Sequence, residues 1–192
     1  MERDFARYAN NPPRVAWPNG ARLAVSVCVN YEEGREYSLL DGPRRETMDE
    51  VPSPVPAHMR VLYNESFFEY GSRVGVWRFL DFLDMLARYE VPATFFASAR
   101  PLERNAAVAK AIVEGGHEVC GHGYGWQEYH ATPIDEEPAS IRRWVTSLLR
   151  ATGQQPVGWL TRSVCSLNTR ELLLKPTATR RAAWPGSCPA SP

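Results

Sequence analysis

Between residues 21 and 30 the chain reads Ala-Arg-Leu-Ala-Val-Ser-Val-Cys-Val-Asn. Small or apolar residues on both faces of an extended segment predict a strand buried on both sides, as in a parallel sheet. An irregular stretch follows, broken by Pro43, Pro52, Pro54 and Pro56, and a loop of that length is usually functional. From Gly71 onward Val76, Phe79, Leu80, Leu83 and Leu86 recur every three or four residues. That spacing predicts a helix over 74–89 with Ser72 near its cap. A second strand is expected over 91–97, with Pro92 tolerated at its start. Asn105 then caps a helix through Val108, Ile112 and Val113 that stops at Gly115-Gly116. A third strand over 117–121 precedes a helix carrying Pro138, Ile141, Trp144, Val145, Leu148 and Leu149 and ending at Gly153. A fourth strand is expected over 156–160.

Strands alternating with helices at this interval imply a parallel sheet or a β/α barrel, in which chemistry gathers where strands end. Asn30, Glu32 and Glu33, Arg100, His122 and Arg162 occupy such ends. Four strands do not close a barrel of seven or eight, so the fold is expected to be open or incomplete.

Composition narrows the function classes. Lys plus Arg number 22 and Asp plus Glu number 22, so no net field favours nucleic acid or an anionic membrane. No apolar run approaches the roughly 18 residues of a membrane span, and charges rather than a greasy segment open the chain at Met1-Glu2-Arg3-Asp4-Phe5. A soluble, unexported, cytoplasmic protein is the expectation. Cys28, Cys120, Cys165 and Cys188 show no zinc or CxxC spacing and read as reduced. Residues 175–192 carry four prolines and no period, and are expected to be disordered.

Glu32-Glu33 can place a carboxylate in a site as general base, with a solvated acidic turn as the alternative. His122, between Gly121 and Gly123, suits an acid, a base or a metal ligand, or a histidine bonded only to its loop. A catalytic zinc asks for three protein ligands and an open position. Glu33, His122 and His130 would be that set, but Trp126 stands where a second histidine would complete an HxxxH pair. Glu69-Tyr70-Gly71-Ser72-Arg73 and Trp77-Arg78 could hold a polar amide or ureide, and helix capping with surface pairing explains them equally well. The chain has no GxSxG elbow, P-loop or GxGxxG fingerprint, which argues against serine hydrolases, P-loop enzymes and dinucleotide enzymes.

Together these motifs resemble the polysaccharide deacetylases of the NodB-homology fold, a distorted β/α barrel. Asn30-Tyr31-Glu32-Glu33-Gly34 stands where that family has Thr-Phe-Asp-Asp-Gly, and His122-Gly123-Tyr124-Gly125-Trp126 where it has His-xxx-His. The departures, with Glu69 to Arg73 and Trp77-Arg78, are similar to the allantoinase-type branch. The resemblance covers about residues 3–174 and implies an N-terminal part of a NodB-homology domain over 1–174, followed by the tail 175–192. It implies opening of the hydantoin ring of allantoin to allantoate in purine catabolism, without a metal cofactor, by a homo-oligomer in the full-length family. Glu32 matches the family's base, Glu33 its metal-ligand Asp and His122 its first metal histidine. Tyr31, Glu69, Arg73, Tyr124, Trp126 and Arg162 become the expected ureide contacts. Glu32 would take a proton from attacking water while His122 and a cationic or phenolic partner stabilise the oxyanion and help the nitrogen leave. The alternatives are a zinc-dependent N-deacetylase of polysaccharide or peptidoglycan and an inactive fragment that binds ureides or a partner. Near the fourth strand the family reads Gly-Trp-x-Thr-Gly-Arg-x-Ser-Pro-Asn-Thr-Arg. Here Gly158-Trp159-Leu160-Thr161-Arg162-Ser163-Val164-Cys165-Ser166-Leu167-Asn168-Thr169-Arg170 suggests a disturbed frame and an out-of-frame tail.

Overall fold

In the computed structural model, which describes residues 14–41, 47–48, 51–52, 54–56, 58–162 and 164–174, apolar alternation builds five strands. β1 (Val27–Tyr31) is followed by a short antiparallel pair, β2 (Thr47–Met48) and β3 (Val51–Pro52), then by β4 (Ala93–Ala97) and β5 (Glu118–Gly121). β1, β4 and β5 form one parallel sheet in that order. β1 is shorter than expected because its ladder opens at Val27 opposite Ala93. Preceding Ala93 is Pro92, which has no N–H to extend the ladder. The fourth strand is reduced to a single parallel bridge, Gly121 to Trp159. The indoles of Trp144 and Trp159, 4.9 Å apart, crowd Gly121 so closely that a Cβ there would lie 2.6 Å from Trp144.

The helices are α1 (Leu62–Tyr70), α2 (Val76–Ala87), α3 (Ala99–Arg104), α4 (Ala106–Glu114), α5 (Glu137–Thr152) and α6 (Thr169–Leu174). A π-helical turn, Gly71–Gly75, joins α1 to α2. The helix expected over 74–89 therefore starts a dozen residues earlier. Ser72 is no cap but lies inside the run, its hydroxyl donating back to the Glu69 carbonyl at 3.1 Å. α1 follows the stretch expected to be irregular; Tyr63, Phe67 and Tyr70 recur there at helical spacing, yet their rings are exposed rather than buried. Asn105 does cap α4, accepting from the Val108 N–H at 3.3 Å. Gly153, with φ 70°, ends α5.

The core lies on the helical side of the sheet, where Tyr31, Leu83, Phe95, Leu102, Ile112, Trp144 and Leu148 are buried. Residues 164–174 fold back onto α5. The wholly buried Glu137 accepts from the hydroxyls of Ser166, at 2.6 Å, and Thr169, and Leu172 and Leu173 pack against Tyr129 and Ile141. Among the described residues the sheet does not close, as expected of an incomplete parallel α/β barrel, and no helix is long and apolar enough to cross a membrane. The tail 175–192 lies outside the described residues.

Candidate functional site

β1 and β5 end beside one another across β4, which brings Glu32 and His122 together although 90 positions separate them. His122 is buried, and its Nε2 lies 2.6 Å from Glu32 Oε1 while its Nδ1 lies 2.7 Å from the Leu160 carbonyl. The other carboxylate oxygen of Glu32 accepts from the Trp126 indole N–H at 3.0 Å. Behind Glu32 stands Arg35, buried, donating to Ser98 Oγ at 2.5 Å and the His122 carbonyl at 2.8 Å, and 3.6 Å from Glu32 Oε2.

These contacts decide the protonation of the pair. Burial pushes the Glu32 carboxyl up, but the His122 hydrogen bond, the Arg35 and His122 charges and the Trp126 N–H outweigh it and hold it at about 2. Glu32 is therefore an acceptor. A carbonyl accepts only, so Nδ1 carries a proton towards Leu160, and a carboxylate accepts only, so Nε2 carries one towards Glu32. Both ring nitrogens of His122 are thus engaged, one at the Leu160 carbonyl and one at the Glu32 carboxylate. Arg35 is drawn down by burial, against the Glu32 charge, to about 10, and stays cationic at neutral pH.

The remaining expected residues divide. Trp126 joins the pair directly, and the Arg162 guanidinium lies 4.1 Å above its ring, so Arg162 reaches the site through the indole. Glu33 turns the other way, onto Gly71, its Oε2 accepting the Glu32 N–H at 3.1 Å. Burial raises its carboxyl, backbone hydrogen bonds work against that rise, and the Glu32 and Glu36 charges add to it. Tyr31 was expected to touch substrate, but alternation along β1 sends its ring into the core, where burial takes the phenol up to about 12. Glu69 and Arg73 pair with each other at 2.6 Å, both well exposed, and Tyr124 donates to Glu103 with Arg143 stacked on its ring at 3.8 Å. None of these four touches the Glu32–His122 pair in a described contact. Arg100 is paired with Asp41 at 2.5 Å.

The zinc set tested against this geometry does not assemble. His122 has both ring nitrogens engaged, Glu33 packs on Gly71, and His130 sits exposed on a 3-10 turn, 4.0 Å from Glu128. Among the described residues no group of three His, Cys, Asp or Glu side chains is placed to hold a metal. Sequence reasoning missed Arg35 and Ser98. Their partners lie 63 and 87 positions from Arg35, and the one local hint is that Arg35 directly follows the Glu32-Glu33-Gly34 turn. A cavity of about 830 Å³ adjoins the pair, lined among others by Arg35, Tyr37, Trp126 and Gln127 but not by Glu32 or His122.

Residues 67–170 match the family model for polysaccharide deacetylase. A polysaccharide deacetylase homologue of Schizosaccharomyces pombe is 36% identical over 178 residues, which cover 89% of this chain and 54% of that protein. Two solved structures superpose with a TM-score of 0.78. One is PuuE allantoinase, 36% identical, and the other the probable polysaccharide deacetylase of Pseudomonas aeruginosa PAO1, 38% identical. Each comparison covers 93% of this chain and 59% of the other. The chain thus spans little more than half the length of the proteins it matches.

Proposed function

The chain belongs to the polysaccharide deacetylase family, and on that premise we propose that it hydrolyses a carbon–nitrogen bond outside peptides, opening the hydantoin ring of allantoin to allantoate. The observation that carries this reading is the Glu32–His122 pair held by Trp126 and Arg35. It forms a polar acid–base unit in which His122 Nε2 is already taken by a carboxylate. The allantoinase named above shares the fold at 36% identity, which adds weight to a cyclic ureide as substrate.

The chemistry follows from the charges. Water attacks the ring carbonyl carbon and gives a proton to Glu32, which keeps lone pairs free beside its two bonds. The carbonyl electrons move to oxygen, and the His122 Nε2–H, released as Glu32 gains its proton, turns to donate to the oxyanion. Collapse expels the ring nitrogen, which takes the proton back from Glu32 as the C–N bond breaks. One water is consumed and the pair returns to its starting state. General base catalysis contributes about 10²–10⁴-fold, and the oxyanion partner about 10²–10³-fold. Glu32 held at about 2 is a weak base, so its proton is shared only transiently on the way to the leaving nitrogen.

A second reading, release of acetate from an N-acetylated polysaccharide, is favoured by the family itself. Incubation with allantoin and, separately, with N-acetylglucosamine oligomers, each with EDTA or with zinc, separates the two. Allantoate formed at the same rate in EDTA supports the proposal. Acetate release that needs zinc overturns it in favour of the second reading. Folded protein that turns over neither leaves a binding role as the function of this chain, and likewise overturns it.

A further inference from the structure

We propose that Glu33 is a positioning residue, and that its close contact with Gly71 sets where Glu32 stands; this rests on the catalytic reading of Glu32 above. Gly71 has ordinary helical angles, φ −55° and ψ −48°, so its backbone requires no glycine, and glycine inside a helix costs about 1 kcal/mol relative to alanine. What requires glycine is space. A Cβ at Gly71 would lie 2.5 Å from Glu33 Cγ and 2.7 Å from its Oε1, a distance that forces something to move. Gly71 opens the π-helical turn between α1 and α2, and such turns often mark functional sites.

Two arms run from this segment to the same residue, Glu32. Gly71 abuts Glu33, whose Oε2 accepts the N–H of Glu32 at 3.1 Å. Phe68, three residues earlier, meets the Trp126 ring edge to face at 5.6 Å, and Trp126 donates to the Glu32 side chain. One arm holds the backbone of Glu32 and the other its carboxylate, so the α1 junction fixes both ends of the reacting residue. Glu33 then works through its length and its acceptor oxygen and takes no part in proton transfer.

The test compares Gly71→Ala, Glu33→Ala, the double variant and Glu33→Gln in the full chain. Steady-state kinetics on allantoin, thermal unfolding and the ¹⁵N shifts of the His122 ring are read for each. Displacement of Glu32 should lower kcat for Gly71→Ala by about 10- to 100-fold, with KM within about twofold. Glu33→Ala alone should lower kcat by about the same 10- to 100-fold, and adding it to Gly71→Ala should erase the destabilisation without restoring kcat, since the acceptor of the Glu32 N–H is then gone. Glu33→Gln keeps length and acceptor and should stay within about threefold of wild type. A loss of about 10²-fold or more in Glu33→Gln overturns the proposal, as does an equal thermal cost of Gly71→Ala with and without Glu33→Ala. If wild type opens no cyclic ureide, the catalytic reading fails by itself. Thermal coupling together with a moved His122 shift in Gly71→Ala then still supports the positioning contact, and absence of either overturns it.

Discussion

Replacing Arg35 by Met removes a buried cation while keeping much of its length. In the folded chain the Glu32 carboxyl lies at about 2 against an ordinary 4.5. At about 1.4 kcal/mol per pH unit, that gap contributes about 3 kcal/mol. A depressed carboxyl stabilises the fold fully above 4.5 and loses that contribution as pH falls through about 2. His122 lowers Glu32 more than Arg35 does, so about 1 kcal/mol of this is ascribed to Arg35. The substitution also leaves the Ser98 hydroxyl and the His122 carbonyl without the guanidinium, though they keep their mutual bond at 3.3 Å, at about 1–3 kcal/mol together. Relief of the arginine's own desolvation, visible in its descent to about 10, offsets part of that. The net expectation is a loss of about 1–3 kcal/mol at pH 7. Urea unfolding reads the loss, and a ¹³C titration of the Glu32 carboxyl reads its electrostatic part, with the midpoint moving from about 2 towards 4.5. Arg35→Met as stable as wild type, or a Glu32 midpoint that does not move, would refute the assignment of Arg35 as the charge that holds Glu32 ionised.

Three other substitutions test separate parts of the account. Trp126→Phe keeps a ring beneath Arg162 but removes the N–H to Glu32; kcat/KM should fall about tenfold, the worth of one charge-assisted hydrogen bond. His130→Ala, at an exposed turn, should leave turnover within about twofold in EDTA or in zinc, as steady-state rates would report. Glu137→Ala removes the carboxylate that Ser166 and Thr169 donate to, leaving them their bonds to each other and to the turn backbone; a loss of about 1–3 kcal/mol in urea unfolding should come with faster hydrogen exchange across α6.

Much of the site was legible because short-range cues coincide with topology. An apolar strand running into Glu32, and His122 set between two glycines at the end of another, single out two residues that the structure brings within 2.6 Å of each other. Trp126 was legible as a departure from a histidine pair, and it supplies a hydrogen bond where a metal ligand would otherwise stand. Arg35 was hidden because nothing local distinguishes a buried arginine from a solvated one; its burial comes from Ser98 and His122, brought by other strands. Tyr31 and Glu33 adjoin the reacting residue in sequence, yet one enters the core and the other packs on Gly71, since neighbours on an extended chain point to opposite faces. α1 carried a legible cue in Tyr63, Phe67 and Tyr70 at helical spacing, although their rings lie on the exposed side. The fourth strand met its predicted neighbour at one bridge only, because pairing depends on tertiary crowding that periodicity does not encode.

The direct measurement is the rate of allantoate formation from allantoin in EDTA by wild type and by Glu32→Gln, with circular dichroism confirming that both are folded. The account predicts that wild type turns over undiminished by the chelator and that the substitution lowers kcat by about 10²–10⁴-fold. Near-native turnover by folded Glu32→Gln, or wild-type turnover that EDTA abolishes and zinc restores, would contradict it.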